Sequence, residues 1–201
     1  DPFAVDRAGN VYAVNSVQDR FTQILKVTLE GRISVLAGGD WGFADGKGAE
    51  AKFGDLHGEC IIVAPDGALL LTDDYSRVRR VAPDGTVTTL AGGRQKGHAD
   101  GLGPDARFDG AAGLALDAQG NVLVVEHVGR VRKISRDGVV TNLAGSGRKG
   151  SDDGPLLEAT FDGPTGIAVA PNGDLFVIEP DAPRVRKISD GRVTTIHQGL
   201  P

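Results

Sequence analysis

Cysteine, methionine and aromatic residues are scarce in this chain of 201 residues, which holds one cysteine, no methionine, one tryptophan, two tyrosines and seven phenylalanines. A lone cysteine, Cys60, excludes an intramolecular disulfide framework and leaves the compartment open. No run of about 18 apolar residues occurs, so no segment reads as a membrane-spanning helix. Positive charge is in deficit: 22 Lys and Arg against 27 Asp and Glu leave a net charge of −5. Binding to a phosphate backbone needs clustered positive charge, so nucleic acid is not an expected partner. Helical periodicity is missing too, because no stretch of about ten residues keeps apolar side chains at i, i+3, i+4 spacing. The glycine-rich segment 143–147, LAGSG, lacks the Lys-Ser/Thr ending of a phosphate loop. Neither zinc-finger spacing nor a Ser-His-Asp order is found.

Glycine, by contrast, is abundant at 30 residues, and its placement is periodic. Gly9, Gly67, Gly120 and Gly173 each sit in a turn between two apolar runs, at spacings of 58, 53 and 53 residues. A second ladder, Gly31, Gly85, Gly138 and Gly191, keeps the same beat in EGRISVLAGG, DGTVTTLAGG, DGVVTNLAGSG and DGRVTTIHQG. Two ladders with one period mean a tandem array. One period, residues 113–145, holds four short Val/Ile/Thr-rich runs separated by Gly-, Asn- and Asp-containing breaks. Such runs are strands joined by tight turns, and four antiparallel strands per repeat make one propeller blade. The expected fold is therefore all-β: a β-propeller of four four-stranded antiparallel blades at about 1–39, 53–92, 108–147 and 161–199, within one region, 1–201. It forms either a closed four-bladed ring or an arc of a larger, for instance six-bladed, propeller. The chain opens at Asp1-Pro2-Phe3 inside an expected strand, without a methionine, which points to a start further upstream.

The repeats FDGPTGIAVAPNGDLFVIEPDAPRVRKISDGRVTTIHQG (161–199) and FDGAAGLALDAQGNVLVVEHVGRVRKISRDGVVTNLAGSG (108–147) resemble NHL-repeat proteins. So do the linking elements GFADGKGAEAKF, GHADGLGPDARF and GSDDGPLLEATF. The resemblance implies a propeller used most often as a binding platform. Similar six-bladed propellers include lactonases and lyases with a metal in the central channel.

With the innermost strand first, the near-identical Asp/Asn-Gly turns fall on one face of each blade, where they serve geometry. The other face carries the variation. Blade 1 has an elongated loop at 15–23, and the connection after it holds Trp41 and Phe43. Blade 2 is longer by two residues before its inner strand, in the segment GDLHGEC (54–60) bearing Asp55, His57 and Glu59; these suit a ligand or a divalent cation. Asp73, Glu126 and His127 follow the second strands and are expected at the same channel mouth. Asp73, Glu126 and Glu179 fill one repeated position, held by Asn15 in blade 1, as structural caps would. The Arg-Val-Arg runs at 77–79, 130–132 and 184–186 recur in step with Asp45, Asp100 and Asp153, and are expected to pair with them.

These features favour a non-catalytic protein-interaction or scaffold module that presents a loop face to a protein partner. No cofactor or metal is expected for folding or activity. One alternative is a metal-assisted lyase or lactonase using the acidic and histidine residues at the mouth; another is a structural part of a larger assembly. Association through the end blades is expected if the array does not close on itself.

Overall fold

The computed structural model describes residues 2–17, 20–56, 60–180 and 183–199. Alternating apolar and polar positions fold into four antiparallel sheets. Blade 1 is β1 (Phe3–Val5), β2 (Val11–Val17), β3 (Phe21–Val27) and β4 (Ile33–Asp40). A connecting strand, β5 (Gly46–Lys47), precedes blade 2, which comprises β6 (Ile61–Val63), β7 (Leu69–Asp73), β8 (Arg77–Val81) and β9 (Thr86–Gly92). After β10 (Gly101–Leu102), blade 3 has β11 (Ala111–Leu116), β12 (Val122–Glu126), β13 (Arg130–Ile134) and β14 (Val139–Ala144). After β15 (Gly154–Pro155), blade 4 has β16 (Gly166–Val169), β17 (Leu175–Glu179), β18 (Arg184–Ser189) and β19 (Arg192–Gln198). Among the described residues the only helical pieces are single 3₁₀ turns at Gly48–Glu50 and Gly103–Asp105. No described helix is long and apolar enough to cross a membrane.

Within each blade the strands pair in sequence order, and the inner strands β1, β6, β11 and β16 pack beside one another. Blades 2 to 4 depart from four strands. The two-residue strands β5, β10 and β15 pair with the outer strands β9, β14 and β19 of the following blade. Each connection thus leaves one blade and runs down the outer edge of the next; the first two return as a hairpin (Ala44 bridges Lys52, and Ala99 bridges Arg107), whereas in the third Lys149 bridges Phe161 in parallel. It does not stay on the loop face, as the spacing alone suggested. The long loop expected at 15–23 is likewise mostly strand: β2 and β3 pair in register from Val11–Val27 to Val17–Phe21.

Three apolar cores lie between consecutive blades. Between blades 1 and 2, Val14, Ile24 and Ala37 meet Leu69, Leu71, Val81 and Val87. Leu70, Val78 and Ala91 meet Leu114, Val122, Val124 and Ile134 across the next gap. Leu123, Val125, Val131 and Ala144 meet Leu175, Val177, Ile188 and Val193 across the last. Among the described residues nothing comparable covers the outward faces of blades 1 and 4: Phe3 is 67% exposed and Ile178 48%. The array is an open arc of four blades.

Candidate functional site

The acidic position that ends the second strand of blades 2, 3 and 4 is not at an open mouth. Asp73, Glu126 and Glu179 are buried, each against an arginine of the third strand. Asp73 closes β7, and strand alternation sends its side chain to the same face as Arg79, diagonal to it across the hairpin. The Arg79 guanidinium then forks. Its Nη1 lies 2.6 Å from Asp73 Oδ2 and its Nη2 2.9 Å from Asp45 Oδ1. The same two nitrogens donate to the carbonyls of Lys52 and Ala44. The ring of Phe53 lies 5.1 Å from the guanidinium carbon.

Blades 3 and 4 repeat this arrangement. Arg132 joins Glu126 (3.2 Å) to Asp100 (2.6 Å) beside Phe108. Arg186 joins Glu179 (3.4 Å) to Asp153 (2.8 Å) beside Phe161. The second carboxylate oxygen accepts a backbone N–H where the connection ends, from Gly54, Asp109 and Asp162 respectively. Asp45 and Asp153 also accept from the backbone and hydroxyl of Thr89 and Thr195 on the outer strand. The result is a clamp that fastens each connection to the blade it enters. Burial pushes Asp73 above the usual carboxylate range, against the pull of Arg77 and Arg79. Glu126 is raised for the same reason, against the Asp109 N–H and Arg132. Asp73 and Glu126 are therefore interior fastenings, which corrects their expected place at the channel mouth.

The remaining described candidates, Trp41, Phe43, Asp55 and His127, sit at the loop end of the blades. Trp41 is 45% exposed, and its backbone N–H donates to the Arg20 carbonyl, which sets it beside the β2–β3 hairpin end. Phe43 is half-buried, with the guanidinium carbons of Arg77, Arg79 and Arg94 at 4.3, 4.9 and 5.6 Å from its ring. In the next connection His98 takes the place of Phe43, and burial with Arg132 and Arg130 nearby holds it below the usual imidazole range. His127 is exposed, 6.1 Å from the ring of Tyr75, over which Lys96 stands at 5.4 Å. Asp55 is half-buried, and its carbonyl accepts the Asp74 N–H. His57 and Glu59 lie outside the described residues. Among the described residues, no group of three His, Cys, Asp or Glu side chains could hold a metal ion.

Tyr75 had drawn no notice in the sequence, although its setting is unusual. Asp74 and Tyr75 both adopt φ of 54°, in a tight turn where glycine or asparagine is ordinarily required. The Tyr75 carbonyl accepts the N–H groups of Gly110 and Ala111, which ties the turn to the inner strand of blade 3. The two consecutive non-glycine residues with positive φ mark this site in the structure, and the sequence carries no sign of them. Cys60 is half-buried against the blade 2–3 core, with its N–H donating to Thr72 Oγ1.

No protein-family profile matches the chain. Over 103 residues it is 34% identical to the chloroplastic protein Suppressor of quenching 1 of Arabidopsis thaliana, covering 46% of this chain and 10% of that protein. An auxiliary nutrient binding protein from Bacteroides ovatus superposes with a TM-score of 0.74 at 19% identity, over 98% of this chain and 48% of that one. The fold is that of a β-propeller. A catalytically inactive virginiamycin B lyase from Staphylococcus aureus, solved with quinupristin, superposes at 0.67 with 16% identity, over 100% of this chain and 56% of that one. At such identities the likeness concerns the fold alone. The chain spans a tenth of the curated relative, and 48% and 56% of these two solved propellers.

Proposed function

We propose that this chain is an NHL-type propeller segment that acts as a non-catalytic interaction module and binds a protein partner on the loop face of blades 1 to 3. The observation that carries this reading is the strained Asp74–Tyr75 turn. It holds an aromatic ring beside Lys96 and His127, while the connection into blade 2 carries Phe43, stacked with Arg94, and the exposed Trp41. Backbone strain of this kind costs about 1–3 kcal/mol and persists where the surroundings fix it, commonly at ligand clamps. Aromatic side chains with cationic neighbours are the usual material of binding hot spots.

A hydrolase or lyase reading draws less support. The carboxylates that close the second strands of blades 2, 3 and 4 are paired with Arg79, Arg132 and Arg186, and so cannot supply a free base. The test places a photo-crosslinking residue at position 41, and separately at Glu30 on the turn face, in extract of the source organism. A discrete adduct from position 41, lost in Tyr75→Ala and missing from position 30, is the expected result. Equal labelling from both positions, or an adduct indifferent to Tyr75→Ala, overturns the loop-face assignment.

A further inference from the structure

Where blades 2 and 3 meet on the loop face, the ion pairs that mark the neighbouring seams are missing. In the connection between blades 1 and 2, Lys52 pairs with Asp40 at 3.4 Å. The connection between blades 2 and 3 makes the same hairpin, with Arg107 in the place of Lys52. Arg94, two residues after Gly92 as Asp40 is after Gly38, stands in the place of Asp40. In the connection between blades 3 and 4, Lys149 pairs with Asp162 at 3.0 Å. Its counterpart Lys96 turns instead to the ring of Tyr75, 5.4 Å away. On the third strand of blade 2, Arg77 is held by Asp73 and Asp74 at 3.4 and 3.3 Å. Arg130 fills the matching position in blade 3, where His127 replaces Asp74, and it donates to the Ser146 carbonyl.

These replacements gather positive charge in a chain whose net charge is −5. Arg94, Lys96 and Arg107 are exposed, and Arg107 Cδ lies 3.7 Å from where a Cβ on Gly97 would stand. His98, the next residue, is near enough to Arg130 to feel its charge. The Arg130 guanidinium packs against Gly147, which adjoins the exposed Arg148. Around these five cations, Asp74 and Asp100 are taken by Arg77 and Arg132, which leaves Asp109. Asp105 is at the other end of the blade, in the turn that Gly103 ties to Gly138. The patch is bounded by the Lys52–Asp40 pair on one side and the Lys149–Asp162 pair on the other. It therefore spans one blade junction, whereas a nucleic-acid strand follows a longer basic groove. A short run of Asp or Glu side chains matches both its charge and its extent.

We infer that the loop face between blades 2 and 3 receives an acidic peptide segment of the partner, whose carboxylates are met by Arg94, Lys96, Arg107, Arg130 and Arg148. The inference rests on the loop-face reading and adds the chemistry of what is bound there.

Fluorescence anisotropy of labelled hexaglutamate with the purified chain tests it, beside hexaglutamine and an oligothymidylate of matched charge. Two double variants are compared, Arg94→Glu/Lys96→Glu on the loop face and Arg32→Glu/Arg136→Glu on the turn face. All four positions are exposed, so both variants are expected to keep the wild-type urea midpoint. The wild type should bind hexaglutamate and not hexaglutamine, and more weakly as salt rises. The loop-face variant should lose about tenfold in affinity, and the turn-face variant, with the same net charge, less than about twofold. Equal losses in the two variants, or oligothymidylate bound more tightly than hexaglutamate, would overturn the inference. A wild type that ignores hexaglutamate while position 41 still gives its Tyr75-dependent adduct would remove the acidic segment and leave the loop-face assignment standing.

Discussion

Arg132 has no exposed surface, and its charge is met by Glu126 on its own blade and Asp100 on the connection. Removing it leaves Glu126 buried without its partner, so Arg132→Ala is expected to lower the unfolding free energy by about 3–5 kcal/mol in urea titrations. Arg132→Lys keeps the charge but cannot fork to both carboxylates, and should recover only part of the loss. Arg80→Ala is the contrast. Its 2.7 Å pair with Asp66 is exposed, and the expected cost is below about 1 kcal/mol. The surface carboxylates report on pH instead. Asp174 is lowered from 3.8 to about 2 by the hydrogen bonds from Lys187, Ser189 and Asn172. Because its folded value lies below its unfolded one, its contribution is complete above about pH 4 and lost as pH falls toward 2. Wild type and Asp174→Asn should therefore differ in urea midpoint at neutral pH and converge near pH 2. A difference that stays constant across this window would refute the assignment.

At the scale of the strand, blades 1 to 3 make one manoeuvre at the same place. The outer strand bulges opposite the third, as between Val78 and Arg79, and a glycine then passes close beneath the neighbouring backbone. Gly92 has φ of 85°, and a Cβ there would collide with the Ser76 carbonyl and the Phe108 ring. Gly173 has φ of 92° with nothing near its Cβ position. Gly173→Ala should thus show the backbone cost alone, and Gly92→Ala that cost plus the clash, for a total above about 1 kcal/mol. Equal losses in the two variants would mean that the close approach is not what fixes Gly92.

The strands themselves were legible from the two glycine ladders, because turns that require positive φ mark hairpins residue by residue. The pairing of Asp45, Asp100 and Asp153 with the arginines was legible from their shared period. Missed were the fifth strands β5, β10 and β15, since two residues carry no alternation. The burial of Asp73 and Glu126 was missed because a carboxylate at a strand end looks the same in sequence whether it faces water or a diagonal arginine. Tyr75 escaped for a related reason: composition reveals a turn, but not that its residues adopt φ of 54°.

For the whole molecule, stability follows from how many neighbours each blade has. In a repeat array each unit touches only the adjacent ones, and stability is roughly a sum of unit and interface contributions. Blades 2 and 3 have covered faces on both sides, and every residue of β7 and β12 is buried. Blade 1 keeps Phe3, Ile33 and Val35 exposed, and blade 4 keeps Ile178 and Ile196 exposed. Amide hydrogen exchange should therefore rank protection as β7 and β12 above β2 and β17, with the end blades opening sub-globally before the middle pair. Equal protection across all four blades would show that the number of neighbours does not govern their stability.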